Sequence, residues 1–290
     1  MFGKPIKFWQ TTCSGAEVAG EKPQPFVNLY VRITNGCNAR CSFCCNEGAD
    51  KTLSFNLDKF ARIIDEIGTS GIRLNRITMT GGEPSCRPDT IVAVAEIVRR
   101  SPYCHFTQLQ LHTNGLLAEA KNLIALSRID TVSLSLHHYN MSRLAEIYGC
   151  DIPENLLDFP KRLKPKINLS CNLIKGYIDN YAEIAKLISF AASNGYHSIG
   201  FAGLMRLNQY AADRYVNPWM IDFDRIPSLL KTEERSHEGA CRCRNYLYTA
   251  CETPVGVYVR ETMSTDYCGS SLLFDGEYLR QGFSKNNIIY

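Results

Sequence analysis

The sequence predicts an α/β fold in which parallel strands curl into a barrel or partial barrel, with a small cysteine-rich domain after it. Strand-like and helix-like patterns alternate six times between residues 26 and 205, which indicates successive βαβ units. Right-handed crossovers allow such a sheet to curl. Beyond residue 205 the alternation fades and four cysteines follow. The predicted strands are Phe26–Thr34, Arg76–Thr80, Phe106–Thr113, Thr131–His137, Ile167–Ile174 and Ser198–Met205.

The predicted helices follow from apolar residues that recur on one helical face. Gly68 is placed to end the first helix, and Pro88 suits the first turn of the second. Gly195 is placed as the C-terminal cap of a later helix. The apolar positions are Phe60, Ile63, Ile64 and Ile67 in the first helix, Ile91, Val94 and Val98 in the second, and Ile184, Leu187, Ile188 and Ala191 in the later one.

The predicted strands have one apolar and one polar face, whereas strands of a packed parallel sheet are apolar on both. In the first strand Val27, Leu29 and Val31 share a face opposite Tyr30 and Arg32. The helices should cover the apolar faces, and a dry polar interior would be costly, so we expect a ligand cavity inside. A fully packed interior is the alternative. Further polar-face residues are Asn28, Thr34, Gln108, Gln110, His112, Ser133, Ser135, His137, Asn168, Ser170 and Asn172.

Composition places the chain among ordinary globular proteins. Its 290 residues are 45% hydrophobic and 21% charged, with a net charge of +3 that does not indicate a nucleic-acid or membrane partner. Without a signal peptide or a long apolar run we expect a cytoplasmic protein. The predicted organisation is an N-terminal arm (1–25), a barrel (26–230) and a cysteine-rich domain (231–290).

Cys37, Cys41 and Cys44 are spaced C-x3-C-x2-C on a loop directly after the first predicted strand. Three thiolates suit a four-iron, four-sulfur cluster that keeps one iron open to bind and reduce a ligand. A second signal, Thr-Gly-Gly-Glu-Pro at residues 80–84, ends the second predicted strand. Each motif alone is weak, since the first could bind zinc or form disulfides and the second could be any turn. Their order and strand context make the pair specific.

Together these motifs resemble the radical S-adenosylmethionine (SAM) superfamily over residues 26 to 205. The resemblance implies a partial (βα)6 TIM-like barrel. It also implies a [4Fe–4S] cluster on the three cysteines, whose open iron chelates SAM. One electron then cleaves SAM to a 5′-deoxyadenosyl radical that abstracts hydrogen from a substrate. An electron donor such as flavodoxin or ferredoxin is an implied partner.

The resemblance also implies SAM contacts. Phe43 matches an aromatic position near the adenine, with plain packing beside the cluster as the alternative. Gly81, Gly82 and Glu83 match the segment that meets the methionyl amino group. Glycines allow close approach of a ligand to the backbone, and carboxylate or carbonyl oxygens suit an ammonium group. For the remaining positions a hydrogen bond within the barrel, or a plain turn, is the alternative. These positions are Thr113, Asn114, Ser133, Ser135, Asn172 and, in the Leu-Ile-Lys-Gly segment after the fifth strand, Gly176.

Cys241, Cys243, Cys251 and Cys268 form a second metal hypothesis. Four thiolates could close an auxiliary iron–sulfur cluster, as in the SPASM and twitch extensions of this superfamily, or a zinc site. The spacing departs from the usual seven-cysteine SPASM pattern and from the C-x2-C-x13-C pattern of the molybdenum-cofactor cyclase. A site without metal is the third possibility.

The sequence therefore predicts a radical SAM enzyme, and the polar interior favours a small metabolite, sugar or nucleotide-like substrate. A peptide-modifying enzyme is an alternative, although only 25 residues precede the first strand. A non-enzymatic iron–sulfur redox sensor or electron carrier and a zinc-stabilised binding module are others. Release of 5′-deoxyadenosine from SAM distinguishes the enzyme from both.

Overall fold

The computed structural model describes residues 26–46, 54–116, 120–158, 167–232, 243–260, 271–282 and 287–290. Strands and helices alternate as the sequence predicts, and the mostly parallel sheet confirms the predicted α/β class. The elements are β1 (Phe26–Thr34), α1 (Leu57–Thr69), β2 (Arg73–Gly81), α2 (Pro88–Arg100), β3 (Gln108–Thr113), α3 (Ala120–Ser127), β4 (Thr131–Ser135), α4 (Met141–Tyr148), β5 (Ile167–Leu173), α5 (Tyr181–Ser193), β6 (Ser198–Gly203), α6 (Gln209–Asp213), β7 (Leu229–Lys231), β8 (Arg244–Tyr248), β9 (Val255–Arg260), β10 (Ser271–Phe274) and β11 (Leu279–Gln281).

One continuous sheet has the strand order β11-β10-β1-β2-β3-β4-β5-β6-β9-β8-β7. Strands β1 to β6 are all parallel, β10 adds in parallel to β1, and β9 adds in parallel to β6. Strands β7, β8 and β11 are antiparallel to their neighbours. The C-terminal strands thus cover both edges of the six-stranded core, where unpaired N–H and C=O groups would otherwise be exposed. The boundary between residues 230 and 231 stays a prediction.

The strands alternate in burial as predicted. Val27, Leu29 and Val31 are fully buried, whereas Tyr30 and Arg32, which alternate with them, are half-buried. The buried faces form one core with the apolar sides of α1, α2 and α5. Because the helices cover this face, the polar face lines the inside of the curved sheet, which we call the lumen.

Two glycines near helix ends have different roles, one set by local sequence and the other by packing. Asn180 caps the N-terminus of α5 through its side chain, and Gly195 follows the helix with a φ of 75°, as predicted. Gly68 does not end α1, and that prediction was wrong: the helix continues to Thr69. A Cβ at Gly68 would lie 2.2 Å from Cγ of Tyr103, so its missing side chain makes room for an aromatic ring.

Among the described residues, no helix combines the length and apolar character that crossing a bilayer requires.

Candidate active site

The three motif cysteines lie on the loop of residues 35–46, here called the cysteine loop, at the carboxyl end of β1. Cys37 is exposed, and Cys41 and Cys44 are half-buried. The backbone N–H of Cys44 donates to the carbonyl of Cys41 at 3.0 Å, which folds the second and third cysteines into one turn. Loops at the carboxyl ends of parallel strands are the usual place for the active site of such folds.

The cysteine loop is chemically suited to a cationic cluster. The backbone N–H of Ala39 donates to Cys37 Sγ, and that of Asn46 donates to Cys44 Sγ, both at 3.4 Å. Burial, together with the negative charges of Cys44 and Cys37, raises the pKa of Cys41 to about 12. Three neighbouring thiolates therefore need a positive group to compensate them, which bound metal supplies.

The donor set of the cysteine loop matches the cluster that the motif predicts. Cys37, Cys41 and Cys44 are free thiols on one short loop. A four-iron cluster with one open iron takes one thiolate on each of its other three irons. These three side chains would therefore hold it.

The glycine pair of β2 and its following turn holds the cysteine loop by close backbone contact. The N–H of Gly82 donates to the Thr34 carbonyl at 2.7 Å, and the N–H of Glu83 donates to the Gly36 carbonyl at 2.8 Å. A Cβ at Gly81 or Gly82 would lie 2.1 Å from the carbonyl oxygen of Thr34 or Gly36. The protein's own backbone thus occupies the space that the missing side chains of these glycines leave. From the sequence we expected an approaching ligand in that space.

Glu83 is buried beneath this turn and joins it to the end of β3. Its Oε1 accepts from the Ser85 N–H at 2.9 Å and from the Thr113 hydroxyl at 2.7 Å. Its Oε2 accepts from the Asn114 N–H at 2.7 Å. The carboxylate is already satisfied by three protein donors, so its first role is to fix the geometry of two neighbouring loops.

Asn114 carries that geometry to the first cysteine. Its side-chain Nδ2 donates to Asn38 Oδ1 at 2.8 Å and lies 3.9 Å from Cys37 Sγ. Its Oδ1 accepts from the Leu116 N–H at 3.0 Å, which holds the amide in this orientation. The chain of contacts from Glu83 through Asn114 to Cys37 links three carboxyl-terminal loops of the sheet.

The opposite side of the cysteine loop is anchored to the end of α4. The N–H of Arg40 donates to the Tyr148 carbonyl at 2.8 Å, and its guanidinium donates to the Gly149 carbonyl at 3.3 Å. Gly149 has a φ of 63°, a conformation that favours glycine, and a Cβ there would lie 2.9 Å from the Arg40 carbonyl. The side chain of Asn208 donates to the Ser42 carbonyl at 2.9 Å.

Phe43 and Asn172 come together around His137. The rings of Phe43 and His137 are edge to face with centroids 5.2 Å apart. The N–H of Asn172 donates to His137 Nδ1 at 3.1 Å, so the ring proton of the neutral imidazole is on Nε2. Burial lowers the pKa of His137 to about 4, which keeps the ring neutral at physiological pH. Phe43 and Asn172, two predicted SAM contacts, thus both contact His137, and the hydrogen bond from Asn172 fixes the tautomer of His137.

Other predicted contacts lie farther apart. Ser133 and Ser135 are half-buried on the lumen side of β4, in register with Asn168 and Ser170. Gly176 lies in an exposed turn with a φ of 87°, and its carbonyl accepts from the Arg143 guanidinium at 3.2 Å. The N–H of Gly176 donates to Asp179 Oδ2 at 2.7 Å, so neither of these two hydrogen bonds is made with the cysteine loop.

The described tail cysteines do not meet. Cys243 directly precedes β8, and the Cys251 thiol lies 3.8 Å from the carbonyl oxygen of Tyr248 at the other end of that strand. The two positions are therefore roughly 17 Å apart, at about 3.3 Å per strand residue. The Cys251 thiol donates to the Thr253 carbonyl at 3.0 Å. As placed, the two do not fit one auxiliary cluster. Cys241 and Cys268 lie outside the described residues.

The family model of the radical SAM superfamily matches residues 31–191, which is more than half of the chain. The chain belongs to the radical SAM superfamily. The matched range includes the cysteine loop, the glycine pair, Glu83, Asn114 and Asn172. The expected resemblance is thus confirmed, and with it membership in a superfamily of enzymes that use an iron–sulfur cluster and SAM.

Relatives in sequence include a "Probable GTP 3',8-cyclase" of Thermococcus kodakarensis, 32% identical over 184 residues, 59% of this chain and 55% of the relative. A protein of the same name from Sulfurisphaera tokodaii is 26% identical over 226 residues, 76% of this chain and 67% of the relative. The chain thus spans little more than half the length of the first of these relatives.

Solved structures agree with the fold. Streptococcus suis SuiB bound to S-adenosylmethionine aligns with a TM-score of 0.52 at 18% identity, over 64% of this chain and 42% of SuiB. The enzyme anSMEcpe with bound AdoMet aligns with a TM-score of 0.51 at 16% identity, over 67% of this chain and 57% of that one. At this identity the likeness establishes the partial barrel alone.

Glu83→Gln should lower the free energy of unfolding by about 2 to 3 kcal/mol, because an amide cannot accept from all three donors that face the carboxylate. Urea denaturation of the reconstituted protein measures this. The control is Glu96→Gln, an exposed residue of α2 paired with Arg100, which should cost less than about 1 kcal/mol. Equal effects of the two changes would contradict a bridging role for Glu83.

His137→Asn should flatten the pH dependence of stability. A histidine whose pKa is lowered to about 4 in the folded state favours folding above the unfolded pKa of about 6.5, and that stability is lost as the pH falls towards 4. Between pH 7.5 and 5.5 the wild type should lose on the order of 1 kcal/mol more than the variant. Urea midpoints at both pH values measure this, with the exposed His197→Asn as control. Identical pH profiles in all three proteins would refute it.

Proposed function

We propose that this chain is a radical SAM enzyme that acts on a small, nucleotide-like or related polar molecule held in the barrel lumen. The observation that carries the proposal is the cysteine loop, which Glu83 and Asn114 hold above a polar lumen at the carboxyl end of a parallel sheet. Cys37, Cys41 and Cys44 would hold the [4Fe–4S] cluster.

When bound, the cluster and SAM supply a 5′-deoxyadenosyl radical able to abstract a hydrogen atom from a substrate. The chain's own residues would orient SAM and enclose the reacting atoms. Phe43, packed on His137, would face the adenine, and the backbone around Gly82 would accept the methionyl amino group. The apolar core behind the strands and the half-buried lumen residues would limit access of water to the reacting atoms.

The substrate class rests on two supports. The lumen face is polar along β1 to β5, which suits a small molecule with many hydrogen-bonding groups. The relatives quoted above are named as cyclases of GTP, a nucleotide. GTP itself is not proposed, because the tail cysteines depart from that cyclase's spacing.

A peptide substrate is a second candidate. It is favoured by the structural neighbours SuiB, solved with the precursor peptide SuiA, and anSMEcpe, solved with the Cp18Cys peptide. Both share only 18% identity with this chain, so they weigh less than the sequence relatives.

Two further parts of the proposal concern electrons and the tail. A flavodoxin or ferredoxin is the proposed electron donor, since the cluster needs one low-potential electron per cleavage. An auxiliary cluster on Cys241, Cys243, Cys251 and Cys268 stays a prediction, and the separation of Cys243 and Cys251 weighs against those two sharing it. The tail therefore enters no step of the proposed reaction.

Replacing Cys37, Cys41 and Cys44 together by Ala should abolish release of 5′-deoxyadenosine from SAM, because the loop then retains only Cys45 as a thiol. Chromatography of anaerobic reactions with SAM and dithionite measures the product. Cys45→Ala is the matched control from the same loop and should keep most of the activity.

Product formation by the triple variant would contradict the assignment of the cluster to this loop. Wild-type protein that holds iron but releases no 5′-deoxyadenosine would instead support an iron–sulfur sensor or electron carrier.

A further inference from the structure

The lumen carries arginines and no acidic residue on the strands that enclose it. The polar-face positions of β1 to β6 and β9 are all described, and none of them is Asp or Glu. Arg32 on β1, Arg76 on β2 and Arg260 on β9 occupy such positions. The charged residues at these polar-face positions are therefore all cationic.

Arg76 lacks a neutralising neighbour. It is only partly accessible, and its Nε is buried with no hydrogen-bond partner in the part of the chain that the structure describes. Nearby His112 provides no charge of either sign, because burial and the charge of Arg76 lower its pKa to about 4. The rings of His112 and Tyr30 lie edge to face, with centroids 6.4 Å apart.

Arg32 lies nearer the cysteine loop. It pairs in register with Thr80, at the end of β2 that leads into the glycine pair. An anionic group bound by Arg32 would thus sit beside the loop that holds the cluster.

Arg260 is oriented but not neutralised. Its Nη1 donates to Asn245 Oδ1 at 2.7 Å, and its guanidinium lies 4.8 Å from the ring centroid of Tyr258. Both partners are uncharged. Among the described residues, Arg32, Arg76 and Arg260 take part in no ion pair, whereas Arg280 on the edge strand β11 pairs with Asp275 at 2.6 Å.

Partly buried guanidinium groups without a counter-charge are costly, and a bound anion removes that cost. The planar fork of arginine matches the two oxygens of a phosphate or carboxylate. We propose that the lumen binds an anionic group of the substrate, a phosphate or a carboxylate, on Arg32 and Arg76, with Arg260 facing the same space from β9. This inference rests on the proposed function, since it names the substrate class of the same site.

The test uses the reconstituted protein with SAM and no reductant. Calorimetric titration with inorganic pyrophosphate and with citrate probes the phosphate and the carboxylate form of the ligand. At least one probe should bind saturably and more weakly at higher salt. Arg76→Met, which keeps the length of the side chain without its charge, should weaken that binding tenfold or more. Arg100→Met, at an exposed site on α2, should leave it unchanged.

A thermal melt separates binding from folding. Since Arg76→Met removes an uncompensated charge, its Tm should equal or exceed that of the wild type. A lower Tm, full binding by Arg76→Met, or no saturable binding of either probe by the wild type would each overturn the inference. If the wild type binds the anion but releases no 5′-deoxyadenosine from SAM, that result would contradict the proposed function and leave the anion site standing.

Discussion

The buried carboxylate of Glu83 is the constraint on which the site depends. Its two oxygens accept hydrogen bonds from its own turn and from the end of β3. Asn114, one of these donors, also contacts Cys37 through its side chain. A buried carboxylate is stable only if it is well hydrogen-bonded, so these loops cannot move independently without exposing an unsatisfied charge. The cysteine loop therefore receives its shape from the barrel before any cluster binds.

The sheet beneath the loop separates two environments. Its outer face packs on the helices as one apolar core, while its inner face keeps arginine, histidine and amide groups half-buried. Strands β9 and β10 cover the two edges of the six-stranded core, and β9 also brings Arg260 to the inner face. The same C-terminal segment thus contributes to the stability of the sheet and to the chemistry of the lumen.

Much of the fold could be predicted, because strand and helix periodicity are local. The bounds of β1 match the predicted Phe26–Thr34, and Gly195 follows α5 as expected. Gly68 failed because packing against Tyr103, distant in sequence, decides its role. The cysteine motif predicted the place of the site, yet the anchoring of Arg40 by Gly149 and of Ser42 by Asn208 could not be predicted, since no spacing rule links residues more than a hundred positions apart.

The central claim is that three thiolates on a preorganised loop hold a cluster with one iron open to SAM. Electron paramagnetic resonance of the reduced, reconstituted protein, recorded with and without SAM labelled with ¹⁵N on its amino group, tests this directly. The account predicts that SAM changes the cluster signal and that the label couples magnetically to the cluster. A signal that does not respond to SAM and shows no coupling would mean a closed cluster, and would contradict the account.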